Sequence, residues 1–355
     1  SGFMWVVFAL PMAASAVRRR NLVAPKGAGF WLMFIVAVAG SALSIDAVSR
    51  LFGWGLRFGY YLGAMVVLLY ILNGRHGINV FGVIRSFTIL WMFAVAGGYL
   101  AFVVGDLSFR APLYYITPDF LRENDLIEAW LVPSFAQLQD IIGVPVPRPK
   151  APFTYTNAWG SMMALLTPFG FMALYERRVG FSPRLIRFTM AASVLPAIIS
   201  LNRGLWLSLG LGLIYAAIRF GVAGERKLII QGLWASVALV VVLSITPLGG
   251  IIATRINTGH SNEDRTSLAI SAVEGAVDKP LFGWGAPRPN ERNLPSVGTH
   301  GQLWFVTFSH GFVGAIGFVG AVLSLAWLTR RQPSTAGIWA HVVIVIGRAS
   351  CRERV

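Results

Sequence analysis

The sequence predicts an all-α, polytopic transmembrane protein of about ten spans with two long extracytoplasmic loops. Composition is the first reason. The 355 residues are 55% hydrophobic and 13% charged, with a mean hydropathy of +0.65, which is too apolar for an ordinary soluble domain. The second is length: apolar stretches of roughly 15 to 26 residues recur, enough to cross a hydrocarbon core as helix, without the strict alternation of an outer-membrane barrel. The third is charge placement, which alternates between short basic connections and two long segments.

The expected spans lie near 3–17, 28–45, 58–73, 86–104, 157–175, 186–201, 204–220, 228–247 and 302–328, with a further start at 336. They divide the chain into N-terminal helices (1–104), a first outer loop (105–156), central helices (157–247), a second outer loop (248–301) and C-terminal helices (302–345). Ser1 opens directly into an apolar run without the basic n-region or cleavage site of a signal peptide, so the first span is expected to be a fragment. At the other end, 346–355 resembles a common sequencing adapter translated in frame and is expected not to be native. Cys351, the single cysteine, falls in that tail, so no disulfide or thiol chemistry is expected. The tail from Gly347 onward carries three arginines and one glutamate, and without it the net charge of +15 becomes +13.

With Arg18, Arg19 and Arg20 taken as cytoplasmic, alternation puts Lys26, Arg75, Arg85, Arg177, Arg178, Arg184, Arg187, Arg219, Arg226, Lys227, Arg330 and Arg331 on the same side. That is the positive-inside bias. Both long loops then face outside, together with Arg50, Arg57, Arg110, Arg122, Arg148, Lys150, Arg203, Arg255 and Arg265. A basic outer face attracts anionic lipid head groups and phosphates. Nucleic acid is excluded as a partner, because the charge is spread over a membrane scaffold and forms no basic domain.

The first outer loop is rich in proline, and 119–142 reads as an amphipathic helix, either lying at the interface or packed on the protein as a lid. Asn157 enters the next span behind Thr154, Tyr155 and Thr156, where it either caps the helix or contacts substrate. No Walker loop, CxxC, HExxH or carboxylate cluster is present, so neither a metal nor a cofactor is expected. The pentapeptide Leu-Phe-Gly-Trp-Gly occurs at 51–55 and again at 281–285, a coincidence expected of a chain rich in these residues.

Chemistry narrows to three residues. Arg203 sits in a very short connection, Asn202-Arg203-Gly204, between two spans; an arginine there snorkels, pairs or lines a polar cavity. Arg265 follows Asp264 and precedes a helical-looking segment, Thr266 to Val277, and its plain alternative is a solvated or locally paired charge. His300 lies where the second loop re-enters the membrane and titrates near neutrality, as a general base or acid must. His310, ten residues further on, reads as a buried packing histidine, and His260 as a solvated loop residue.

These pieces resemble the O-antigen ligase and polymerase superfamily. Ser200-Leu201-Asn202-Arg203-Gly204-Leu205-Trp206-Leu207 is similar to its SRGxWL element, and Arg265 followed by Pro280-Leu281-Phe282-Gly283-Trp284-Gly285 to its arginine and PLxGxG turn. Thr299-His300-Gly301-Gln302-Leu303-Trp304 and the glycine-rich stretch from Ser309 to Gly314 resemble its HNxxL element and following helix, and 152–159 its entry to an earlier span. The resemblance covers about 152–328. Leu201-Asn202 stands where serine is usual, and Gly301 where asparagine is usual. Members ligate polysaccharide to lipid A core, polymerise repeat units or glycosylate proteins, drawing on a polyprenyl-pyrophosphate donor outside the cytoplasmic membrane.

The resemblance implies a bacterial inner-membrane enzyme whose active site faces outside. Arg203 and Arg265 would clasp the donor pyrophosphate, His300 would take the proton of an acceptor hydroxyl, and Asn157, Asp264, Thr299 and Gln302 would flank the substrates. The partners implied are the lipid-linked glycan donor, a glycan or glycolipid acceptor and membrane lipid, with no metal and with inversion at the anomeric carbon. Bidentate, permanently charged guanidinium groups suit phosphate oxygens. Two other classes stay open: a polytopic transporter or flippase using the same residues for anion binding and proton relay, and a structural membrane subunit.

Overall fold

The structure is a computed structural model and describes residues 2–18, 22–73, 79–122, 125–140, 145–257, 260–289, 296–298 and 301–350. It is predominantly helical and divides into two compact units, one from Ser1–Asn79 with His260–Arg331, the other from Val80–Gly259 with Gln332–Ser350. Among the described residues, six helices are long and apolar enough to cross a membrane: Val48–Asn73, Val80–Val104, Thr156–Tyr175, Arg203–Val222, Arg226–Ile245 and Gln302–Thr329. Shorter apolar pieces lie at Ala28–Ser44 and Thr335–Gly347.

The first unit contains α1 (Gly2–Val17), α2 (Ala28–Gly40), continued by a 3-10 turn to Ser44, α3 (Val48–Asn73) and, after the second unit's helices in sequence, α12 (His260–Asp278) and α13 (Gln302–Thr329). Helix α13 packs on α2 and on α12, and α1 on α3. Its core joins Phe34, Ile35 and Val38 of α2 to Phe305 and Val306 of α13. Two expectations change here. Helix α3 begins ten residues before the expected span, so Arg50 and Arg57 are helical. Asp46, four residues before Arg50, accepts its guanidinium at 2.5 Å, an i,i+4 pair that favours an early start. In addition, much of the expected second loop is helical: α12 already includes Asp264 and Arg265, and Leu268, Ala272 and Ala276 recur at four-residue spacing as its buried seam.

Helix α13 is broken. Gly311 has φ 68 and ψ −173, a conformation essentially confined to glycine. The break frees backbone groups that an apolar surrounding cannot satisfy. The turn at 280–285 satisfies them: Trp284 N–H donates to the Phe308 carbonyl at 3.0 Å, Gly285 N–H to Ser309 at 2.8 Å, and Phe312 N–H to Pro280 at 2.8 Å. The Trp284 indole N–H, 2.8 Å from the Gly275 carbonyl, fixes the turn to α12. The same five residues at 51–55 are an ordinary stretch of α3, where Trp54 donates to the Val38 carbonyl at 2.9 Å. One sequence thus serves as helix and as turn, as tertiary context overrides local preference.

The second unit contains α4 (Val80–Val104), α5 (Asp119–Arg122), α6 (Asp125–Leu131), β1 (Ala136–Asp140), β2 (Pro145–Pro149), α7 (Thr156–Tyr175), α8 (Pro183–Ile199), α9 (Arg203–Val222), α10 (Arg226–Ile245), α11 (Leu248–Asn257) and α14 (Thr335–Ser350). Helix α7 is central, packing on α4, α8, α9 and α14. Its Trp159 is fully buried and donates to the Ala94 carbonyl at 2.9 Å. Helix α10 has a mean hydropathy of 2.4 in its most apolar stretch, none of which is buried by the protein. Such a surface is explained by lipid, compatible with a multi-pass membrane protein.

The first outer loop is not one amphipathic helix over 119–142. Two short helices end before Pro133, and an antiparallel hairpin follows, pairing Gln137 with Arg148 and Gln139 with Val146. The alternation in Ala136-Gln137-Leu138-Gln139 has the two-residue period of a strand. In β2 the prolines occupy every second place, 145, 147 and 149, which leaves the Val146 and Arg148 amides for the ladder.

Replacing Gly311 with alanine is expected to destabilise the first unit by about 1–3 kcal/mol. The added Cβ would also lie 2.6 Å from the Pro280 carbonyl oxygen. The check is the thermal midpoint of the purified protein in detergent, which falls for Gly311→Ala and hardly changes for an alanine at the helical, unobstructed Gly210.

Candidate functional site

Arg203 and Asn157 belong to the second unit, and Arg265, Asp264 and Gln302 to the first, so the two sets are described separately. In the second unit, Arg203 is the first residue of α9. Asn202 caps that helix, its side-chain oxygen accepting from Leu205 N–H at 3.1 Å. The preceding Leu201 is buried with φ 50, an uncommon conformation for a branched side chain. What holds this turn is Arg148, itself only 6% exposed, whose Nε donates to the Ser200 carbonyl at 2.7 Å. A second guanidinium nitrogen of Arg148 donates to the Gln139 side chain. The hairpin therefore fastens the turn that ends in Arg203. Gln137, on the same hairpin, accepts from the Thr156 hydroxyl at 3.3 Å.

Asn157 does not cap α7. Tyr155 occupies the cap position, and Asn157 is the second helical residue. Gly160, one turn on, packs directly against the Asn202 side chain. The structure thus brings Asn157 and Arg203 to neighbouring N-terminal ends of α7 and α9. Helix N-termini carry partial positive charge and unsatisfied amides, which favour anions. Close by in sequence, burial lowers the Lys150 amine from its ordinary range.

In the first unit, Thr299 and His300 lie outside the described residues. The backbone sets Asp264 and Arg265 in the second turn of α12, while their side chains, and that of His260, are outside the described set. The residue after His300 is described: Gly301 caps α13 with φ 96 and ψ 136, a backbone that excludes asparagine as readily as any other side chain. Gln302 then opens α13 and donates to the Tyr61 hydroxyl at 2.6 Å. One turn further, the Phe305 ring lies 4.6 Å beneath the Arg57 guanidinium. Arg57 and Tyr61 are also one turn apart, so α3 offers a cation and a phenol to the start of α13. The sequence placed Arg57 in a connection, and only the longer α3 reveals its role.

His310 is 1% exposed, as expected of a packing histidine, and its ring meets Phe34, Tyr61 and Phe305 edge-on. Its Nδ1 lies 2.9 Å from the Ser41 hydroxyl, which donates in turn to the Val38 carbonyl at 2.6 Å. With the serine proton so committed, Nδ1 is the donor and Nε2 carries the lone pair. Among the described residues Nε2 has no hydrogen-bond partner.

The segment leading to His300 is anchored by Arg288. Its guanidinium pairs with Asp46 and donates to the Ser44 carbonyl at 3.1 Å, while its backbone bridges to Val297. Hydrogen bonds from Arg50 and then Arg288 hold the exposed Asp46 carboxyl at about 2, below its ordinary 3.8. Neither anchor was legible as such. Arg148 sat in a proline-rich run and Arg288 in a polar loop, and residue type alone does not separate a structural arginine from one that meets substrate.

No protein-family model matches the chain, and no curated protein or solved structure matches it either.

Removing Arg148 leaves the buried Ser200 carbonyl without its charged donor. Arg148→Ala is expected to cost about 1–3 kcal/mol, read as a lower thermal midpoint, with Arg148→Lys recovering part of it. For Asp46 the sign follows from a depressed folded pKa: the pair stabilises above the ordinary carboxyl range and is lost as pH falls from 3.8 towards about 2. Thermal midpoints of wild type and Asp46→Asn should differ above that window and converge below it.

Proposed function

We propose that this chain is an O-antigen ligase-like membrane glycosyltransferase, transferring a glycan from a polyprenyl-pyrophosphate donor to an acceptor hydroxyl on the extracytoplasmic side. Surface polysaccharide ligation and polymerisation both fit. The reading places the chain in the bacterial inner membrane with about ten spans, adding the shorter helices, α1 and α8 among them, to the six long ones. The observation that carries it is Arg203. A permanently charged, planar donor stands as the first residue of α9, on a buried turn held by Arg148, where helix dipole and guanidinium both favour an anion. The ordered motif resemblance over 152–328 supports the rest.

In the proposed reaction Arg203 and Arg265 neutralise the pyrophosphate, and Asn157, Asp264, Thr299 and Gln302 flank the substrates. His300 accepts the proton of the acceptor hydroxyl as its oxygen attacks the anomeric carbon. The bond from that carbon to the pyrophosphate oxygen breaks, the pyrophosphate leaves with the electron pair, and the anomeric configuration inverts. The arginines supply the electrostatic work, so no metal is invoked. The tie from Gln302 to Tyr61 and the glycine backbone at 301 fix the start of α13 next to His300.

A transport reading has one observation in its favour: α13 is discontinuous beside the buried His310, and broken helices carrying ionisable groups bind ions in transporters. Turnover separates the two. Purified protein given lipid-linked glycan and acceptor, with chelator present, should form a glycosidic bond. Arg203→Ala and Arg265→Ala are expected to lower kcat by roughly 10²–10³, and His300→Ala by roughly 10²–10⁴. No product from folded wild type, or dependence on a divalent ion, overturns the mechanism.

A further inference from the structure

We infer that the cleft beside Tyr114 binds the head group of a phosphoethanolamine lipid. The cleft measures about 420 Å³ and is lined by Ser108, Phe109, Arg110, Tyr114, Arg122 and Glu128, among others. Both guanidinium groups lie against one ring: Arg110 is 4.8 Å and Arg122 4.6 Å from the centre of Tyr114. Arg122 also donates to Asp119 at 2.7 Å, yet its Nε is buried and, among the described residues, has no hydrogen-bond partner. Two guanidinium groups lining one cleft suit the oxygens of a phosphate.

The same cleft holds a carboxylate. Glu128 is exposed and lines the wall with the two arginines. A simple anion would be repelled by it. A zwitterion carrying phosphate and primary ammonium meets both charges, phosphate on Arg110 and Arg122 and ammonium on Glu128. The cleft is thus matched in charge to phosphoethanolamine and poorly matched to a head group with phosphate alone.

The flanks say why the ligand is a lipid. Helix α4, long and apolar enough to span a membrane, ends at Val104, only four residues before the cleft begins. Leu107, Phe109, Leu113, Tyr115 and Ile116 are all more than half exposed. Five large apolar side chains within twelve residues of a span's end mark an interfacial segment. Acyl chains lying along them leave the phosphate level with Arg110 and Arg122. The lipid bound here is distinct from the donor and the acceptor of the proposed transfer.

The test is native mass spectrometry of the full chain in detergent, titrated with phosphatidylethanolamine, phosphatidylglycerol and phosphatidylcholine of identical acyl chains. Phosphatidylethanolamine should be retained preferentially. Arg122→Ala should lower its apparent affinity roughly tenfold, the size of a lost charge-assisted hydrogen bond. Because Arg122→Ala could also disturb the loop, the exposed Glu128→Gln is the second variant: it should abolish the preference over phosphatidylglycerol while binding of phosphatidylglycerol persists. Free O-phosphoethanolamine should compete only at far higher concentration than dihexanoyl phosphatidylethanolamine. Equal retention of the three lipids, an unchanged preference in Glu128→Gln, or equally strong competition by the free head group would each overturn the assignment. So would displacement of the lipid by glucuronate, which would make the cleft an acidic-sugar site.

Discussion

Backbone groups in an apolar surrounding need partners, and both units are organised around places where a helix cannot supply them. In the first, α13 breaks at Gly311, and the amides of Trp284 and Gly285 take the carbonyls of Phe308 and Ser309. In the second, the chain turns between α8 and α9 through a buried Leu201 at φ 50, and Arg148 takes the Ser200 carbonyl. Leaving either group buried and unsatisfied costs about 1–3 kcal/mol. These repairs decide where the neighbouring polar residues can stand. Arg203 starts its helix three residues after the repaired carbonyl, and the turn that mends α13 runs into the segment Arg288 anchors ahead of His300.

The helical fold was largely legible because it rests on composition and run length. Spans expected near 28–45, 86–104, 157–175, 204–220, 228–247 and 302–328 coincide with helices within a few residues. What escaped depends on partners remote in sequence. The hairpin at 136–149 is two short strands, one of them three-fifths proline, and its pairing becomes readable only with Arg148 seated on Ser200. Helix α12 was recognised only from Thr266 because its first turns are polar. The early start of α3 carried a direct consequence: it moved Arg57 from a connection to a position over Phe305.

Arginine was the residue type the sequence read as chemistry and left unread as architecture. Arg148 and Arg288 hold backbone carbonyls, the role of a planar, always-charged donor in a place where neutral donors are scarce. In the proposed reaction Arg203 and Arg265 use the same property on pyrophosphate. Nothing in the local sequence separates the two uses. Geometry assigns Arg148 and Arg288 to the fold, and the motif resemblance alone singles out Arg265, whose side chain lies outside the described residues.

Gly301 shows how a departure from a motif can be read physically. Where the resemblance calls for asparagine beside the histidine, this chain caps α13 with a backbone at φ 96 and ψ 136 that strongly favours glycine. An asparagine there would be strained whatever its hydrogen bonds. In the proposed transfer the hydroxyl-positioning role implied for that amide would fall to another group, and an amide side chain, Gln302, stands at the next position. Its side chain is held by the Tyr61 hydroxyl, to which it donates at 2.6 Å. In the proposed transfer its side-chain oxygen would accept from the acceptor sugar. The helix start in this chain is shaped by glycine, and the sugar would be held by glutamine.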